Sequence, residues 1–152
     1  SHMVIDANGH INKPLQPAFF ARPSSQQANI DNETILFGNE VFDQNGDYDA
    51  STSTFTAPVT GKYQINIVVR GDNIAQNANF HRLAIVSSNL TLVSGMLDPA
   101  VLSSSPGEWY FQGCFLIEMD ANDTVHITYS QSGGGSTTDI EDQSYFSGFL
   151  AC

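Results

Sequence analysis

Two groups of carboxylates are the residues whose type and spacing come nearest to chemistry: Asp43, Asp47 and Asp49, and further on Asp139, Glu141 and Asp142. Oxygen ligands carried on flexible loops suit Ca2+, which accepts several carboxylates in irregular geometry. Neither group has the Asp-x-Asp-x-Asp-Gly spacing of an EF-hand loop, and loop acids also act simply as solvated charge that keeps a chain soluble. The three histidines that follow the first few residues, His10, His81 and His126, are far apart and share no close acidic partner at ligand spacing. His126 lies in Val125-His126-Ile127, on the opposite face from its two apolar neighbours, which predicts an exposed or interface side chain. Cys114 and Cys152 lack the paired spacing of a zinc site and are too few for a disulfide scaffold. The chain has no Gly-x-Ser-x-Gly elbow, P-loop, Gly-x-Gly-x-x-Gly turn or His-Glu-x-x-His pair. No catalytic residue is nominated, and a non-enzymatic protein is expected.

Composition narrows the classes further. Five Lys and Arg against sixteen Asp and Glu give a net charge of −11 over 152 residues. Attraction to phosphate backbones or anionic headgroups is disfavoured, so no nucleic-acid partner is expected. No run approaches the roughly 18 apolar residues of a membrane helix, so no membrane insertion is expected. With 41 % apolar and 14 % charged residues the chain is able to bury a core. Residues 1–3, Ser-His-Met, read as a tag remnant, and residues 4–15 as a turn-rich connector from an upstream stalk, leaving 16–152 as one domain.

The elements that must carry these groups are strands. Lys and Glu are scarce while Ser, Thr, Asn, Gly and aromatics abound, which argues against long exposed helices. Tyr63, Ile65, Ile67 and Val69 alternate with Gln64, Asn66 and Val68, the period of a strand with two different faces. Further strands are predicted at 18–21, 34–37, 80–86, 90–96, 109–118, 124–129 and 145–151. Turn chemistry separates them at 45–47, 58–61, 106–107, 120–123 and 133–136. Short strands without helical crossovers imply a β-sandwich or barrel. Ser132 to Ser136 reads as a mobile loop between the last two strands.

The spacing Phe37, Asp43, Tyr48, Phe55, Gly61, Tyr63 resembles the signature of the C1q globular-head family, with Ile65 and Ile67 standing where that family usually has aromatics. Gln16-Pro17-Ala18-Phe19 resembles its first strand, Phe55-Thr56-Ala57-Pro58-Val59-Thr60-Gly61-Lys62-Tyr63 the turn into its central strand, and Tyr145-Phe146-Ser147-Gly148-Phe149-Leu150 its closing strand. The opening Ile5-Asp6-Ala7-Asn8-Gly9-His10-Ile11 also resembles the entry into such heads in phage tail-fibre and related microbial fibre proteins.

The resemblance implies an all-β, ten-stranded antiparallel jelly roll of the tumour-necrosis-factor type that assembles as a homotrimer. It further implies an extracellular or virion-associated head recognising a surface protein or glycan at a fibre end. The alternatives are a structural trimerisation cap without a ligand and a secreted animal pattern-recognition protein. Several members of the family bind calcium, which makes Asp139, Glu141 and Asp142 the candidate ligand-binding and calcium residues, because they precede the closing strand as the family's acidic stretch does. Gln64, Asn66 and Val68 on the central strand would face partner subunits. In such a sheet the central strand separates Cys114 from Cys152 by two strand spacings, about 9–10 Å, beyond the roughly 7 Å that a disulfide spans, so both are expected to be free thiols.

Overall fold

The computed structural model describes residues 3–104, 106–135 and 137–152; the tag-like Ser1 and His2, and Ser136 of the glycine-rich segment, lie outside them. Fourteen strands are found among the described residues. They are β1 (Val4–Ile5), β2 (Ile11–Asn12), β3 (Ala18–Arg22), β4 (Glu33–Thr34), β5 (Asn39–Asp43), β6 (Tyr48–Asp49) and β7 (Thr54–Thr56), then β8 (Gly61–Asp72), β9 (Ala78–Ser87), β10 (Thr91–Leu97), β11 (Glu108–Met119), β12 (Thr124–Gly133), β13 (Asp139–Ile140) and β14 (Tyr145–Leu150). All pairings are antiparallel. One sheet runs β11-β8-β14-β3-β5, with β13 also on β8; the other runs β10-β9-β12-β7-β6, with β4 also on β12. These two five-strand paths are the ten strands of a jelly roll. The connector expected at 4–15 holds a small hairpin, β1 with β2, whose turn is tied by the Asp6 carboxylate accepting the N–H groups of Asn8 and His10.

The family-like spacing becomes a set of contacts. Phe37, Tyr48, Phe55 and Tyr63 are all buried, and the Tyr48 hydroxyl donates to the Phe37 carbonyl at 3.0 Å. The Asp43 carboxylate accepts the N–H of Gly46 at 3.0 Å and that of Tyr48 at 2.7 Å, which closes the turn that sends Tyr48 inward. Phe19 stacks on Tyr48 and on Phe55 and meets Phe146 edge-on, with centroids 4.8–4.9 Å apart. Such aromatic pairs add to area burial because ring edges and faces carry opposite partial charge. Ile65 and Ile67 fill this core from the central strand and are fully buried.

Two expectations fail here. The strand predicted at 34–37 pairs with β12 only through Thr34 and the Ile35 N–H, which donates to the Ile127 carbonyl at 3.0 Å; the Leu36 and Phe37 N–H groups donate instead to the Gln27 side chain and the Ser53 hydroxyl. The acids expected in loops partly sit in strands, since Asp43 ends β5, Asp49 ends β6 and Asp139 opens β13.

Gly148 shows how tightly neighbouring strands of one sheet pack. A Cβ there would stand 2.8 Å from Ile65 Cδ1, 2.9 Å from Phe19 Cε1 and 3.2 Å from the Gln64 carbonyl oxygen. Gly148→Ala is expected to destabilise the fold by about 1–3 kcal/mol, the usual cost of overpacking a filled core. Urea unfolding reads this as a lower midpoint at unchanged slope.

Candidate functional site

The ladder fixes what lies at each end of the sandwich. On β8, Gly61 pairs with Met119 and Asp72 with Glu108. The chain enters at the Gly61 end, where the Gln16 amide donates to the Leu150 carbonyl and the Lys62 N–H to that of Cys152. Residues 73–77 gather with Ala100, Pro106, Gly107, Gly135 and Thr137 at the opposite, distal end.

There the structure separates the three candidate acids. Asp139 turns inward and lies at the floor of an open groove of about 1110 Å³. Its carboxylate accepts the Asn29 N–H at 2.9 Å and the Asn73 amide at 2.7 Å. Glu141 accepts from the Gln26 amide at 2.5 Å, and Asp142 uses its backbone carbonyl to receive the Arg22 guanidinium at 2.7 Å. Neither lines the groove. Among the described residues no three His, Cys, Asp or Glu side chains lie together so as to hold a metal ion. Asp139, Glu141 and Asp142 therefore point to different partners within one chain.

The other acids tie loops. Asp49 accepts both the N–H and the hydroxyl of Ser51, which lowers its carboxyl from the usual value. Asp47 accepts from the Asn45 amide at 3.0 Å, and burial raises its carboxyl. His10 pairs with Asp6 at 2.8 Å on the exposed β1–β2 turn, a partner four residues away that the reading of histidines by sequence overlooked.

His126 is half-buried on the outward side of β12, and burial holds its imidazole below the ordinary 6.5. Between that lowered value and 6.5 the unfolded chain binds the proton and the folded chain does not, so stability falls as pH drops through this window. His126→Gln is expected to flatten the loss of Tm between pH 7 and pH 5, read by parallel thermal melts.

The outward face of the β11-β8-β14-β3-β5 sheet is the larger surface. Register sets Leu116, Gln64, Phe149 and Ala18 in one row across it, and Cys114, Asn66, Ser147, Phe20 and Phe42 in the next. Gln112, Val68, Tyr145 and Arg22 follow by the same alternation. Gln64, Asn66 and Val68 thus face outward and half-buried, as alternation predicts. Gln64 donates to Cys114 Sγ and to the Phe115 carbonyl, both at 3.1 Å. Around this polar middle stand Leu116 at 57 % exposure, Tyr110 at 54 %, Phe42 at 50 % and Phe149 at 44 %. Phe20 stacks between Phe42 and Tyr145, with centroids 6.3 and 5.5 Å away. Both cysteines are unpaired and exposed, Cys114 within this face and Cys152 at the chain-entry end.

Sequence reasoning missed the apolar half of the face and the amides of the groove. The first had a signal: β3 and β14 are apolar on both faces (Phe19 with Phe20, Phe146 with Tyr145 and Phe149), the pattern of strands covered on two sides. The second had one in Asn29 and Asn73, residues that tolerate the left-handed backbone they adopt, at φ of 58° and 54°.

Comparison with known proteins agrees with this architecture. The globular domain of zebrafish complement 1qA superposes with a TM-score of 0.65 at 20 % identity, covering 90 % of this chain and 98 % of that one. Murine APRIL at pH 8.5 superposes at 0.61 with 9 % identity, covering 89 % and 98 %. No curated protein sequence matches the chain. Among the described residues no helix is long and apolar enough to cross a membrane. The C1q domain family model matches residues 18–151, from the first strand of the aromatic core to the end of the closing strand, and the chain belongs to that family.

Proposed function

We propose that this chain is a non-enzymatic, extracellular recognition head that works as a homotrimer, with the outward face of the β11-β8-β14-β3-β5 sheet as its subunit interface and the distal loops as its ligand surface. One observation carries the reading: Tyr110, Leu116, Phe149 and Phe42 all stand exposed on the one sheet face that carries Gln64, Asn66 and Val68. Single exposed apolar residues are ordinary, but four large ones gathered on one sheet face favour an association surface. Closed symmetry is the usual way identical chains cover one.

Function follows from the polarity of the sandwich. The chain enters at one end and the groove opens at the other, so a head mounted through its N-terminal side presents three grooves in one direction. Individually weak contacts then reinforce one another through effective concentration. A fibre tip on a phage or microbe and a secreted animal recognition protein are two settings that this polarity fits.

Cys114 provides the test. It is exposed in one protomer and lies in the middle of the proposed interface. In a Cys152→Ser background, Cys114 is expected to resist a thiol reagent in the native head and to react when dissociating denaturant is added. Free reaction under native conditions contradicts the interface.

A further inference from the structure

We infer that the distal groove is a binding site for a neutral, hydroxyl-rich ligand, a saccharide, with Asp139 as its central acceptor and a buried His81–Tyr129–Thr138–Gln131 network holding its walls in place. This deepens the recognition reading above and rests on it for avidity, but the site itself belongs to one chain.

The lining selects the chemistry. The polar side chains facing the groove are Asn29, Asn73, Gln76, Asn77, Thr137 and Asp139; among the described residues no Lys, Arg, His or aromatic lines it. A carboxamide offers a donor and an acceptor side by side, which matches a pair of adjacent hydroxyls, one accepting and one donating. The Asp139 carboxylate has each oxygen engaged by one N–H and retains lone pairs for a hydroxyl. A phosphate, sulfate or carboxylate would meet that acid with no cation to balance it. The apolar lining residues are Ala28, Ile74, Ala75, Ala100 and Pro106, and Ile74, the one large side chain among them, is itself buried in the core.

The walls are built from underneath. His81, fully buried, engages the Ala75 carbonyl through Nε2 at 2.8 Å and the Tyr129 hydroxyl through Nδ1 at 2.5 Å. The Tyr129 hydroxyl lies 3.0 Å from Thr138 Oγ1 and 3.2 Å from Gln131 Oε1, and the Gln131 amide donates to the Gly135 carbonyl at 2.9 Å. One chain of polar contacts thus runs from the 73–77 wall, through the sandwich core, to the glycine-rich wall. A fully paired buried network gives a unique geometry at a high cost for any missing member. The two walls also interlock directly: at Gly134, φ +70°, a Cβ would meet Asn77 Oδ1 at 3.0 Å and Ala75 Cβ and the Ala78 nitrogen at 3.1 Å. Asn29 and Asn73 hold left-handed backbone to aim their donors at Asp139, conformations that persist where the surroundings fix them.

The test is an amide chemical-shift titration of the intact head with the methyl glycosides of mannose, galactose, glucose and N-acetylglucosamine, with sialyllactose as the anionic comparison. At least one neutral glycoside is expected to shift Ala75, Asn77, Gly135 and Thr137 while leaving Ala57 and Asn122, at the chain-entry end, in place. Asp139→Asn is expected to weaken this binding about tenfold, in line with losing a charge-assisted hydrogen bond. Asn77→Trp, an exposed position whose replacement fills the groove without entering the core, is expected to abolish it. Unmoved groove amides with all four glycosides, shifts mapping elsewhere, or preference for sialyllactose each overturns the inference. Solution mass on the same samples separates the two readings: an intact trimer with silent groove amides refutes the saccharide site alone, and a monomer with shifting ones refutes the assembly alone.

Discussion

Phe149→Glu and Leu116→Glu are each expected to turn the head from three chains into one without unfolding it. Both side chains project from the outward face and share a row with Gln64. In a lone protomer they stand in water, at 44 % and 57 % exposure, so a carboxylate there leaves the core of Phe19, Tyr48, Phe55 and Phe146 untouched. In the assembly the same position is desolvated in every copy. An unpaired buried carboxylate is penalised by several kcal/mol, and closed symmetry repeats that penalty three times around like charges. No Lys or Arg follows in the rows of Leu116 and Cys114 to compensate, because the outward cations, Lys62, Arg22 and Arg70, lie outside them. Light scattering is expected to give the single-chain mass with an unchanged far-ultraviolet β spectrum. A variant that stays trimeric moves the interface elsewhere on the head.

The second large effect belongs to the core. Phe19→Ala is expected to destabilise folding by about 3–5 kcal/mol, the range for deleting a buried aromatic ring whose cavity cannot collapse. Phe19 is 1 % exposed and is held by three rings from β6, β7 and β14, so its loss opens a void between both sheets. That is a large part of the 5–15 kcal/mol a domain of this size usually has. Phe20→Ala, one residue on, points the other way and provides the contrast. It is expected to spare the stability of the protomer and weaken assembly, because Phe20 stacks on Phe42 and Tyr145 on the outward face. Denaturant titration separates the two, with a lower midpoint independent of protein concentration for Phe19→Ala and a concentration-dependent one for Phe20→Ala.

Much of the fold was legible because period-two alternation is a direct image of a sandwich. Tyr63 to Val69, Phe80 to Val86 and Trp109 to Glu118 all lie inside long strands. What alternation could not show is the short-strand region from Asn39 to Thr56. There β5, β6 and β7 hold two to five residues each and are placed by the Asp43 turn and the Tyr48–Phe37 hydrogen bond rather than by their own pattern. The spacing of Phe37, Tyr48, Phe55 and Tyr63 carried that information in another form, as an aromatic cluster read through a family resemblance.

The site was less legible. Asp139, Glu141 and Asp142 are near neighbours in sequence, yet β13 turns Asp139 into the groove while Glu141 pairs with Gln26 and the Asp142 backbone receives Arg22. Acids this close in sequence carry no information about which of them shares a cavity. The partners of Asp139, Asn29 and Asn73, are 110 and 66 residues away along the chain; the ladder of β13 on β8 brings up Asn73, and the bridge of Gln27 with Ile140 brings up Asn29.

The absolute mass of the head in solution, measured by light scattering across a dilution series, tests the central claim most directly. The expected result is three times the 16.5 kDa chain mass. A mass of one chain at every concentration would contradict it, and would return Gln64, Asn66 and Val68, with the aromatic border around them, to the solvent.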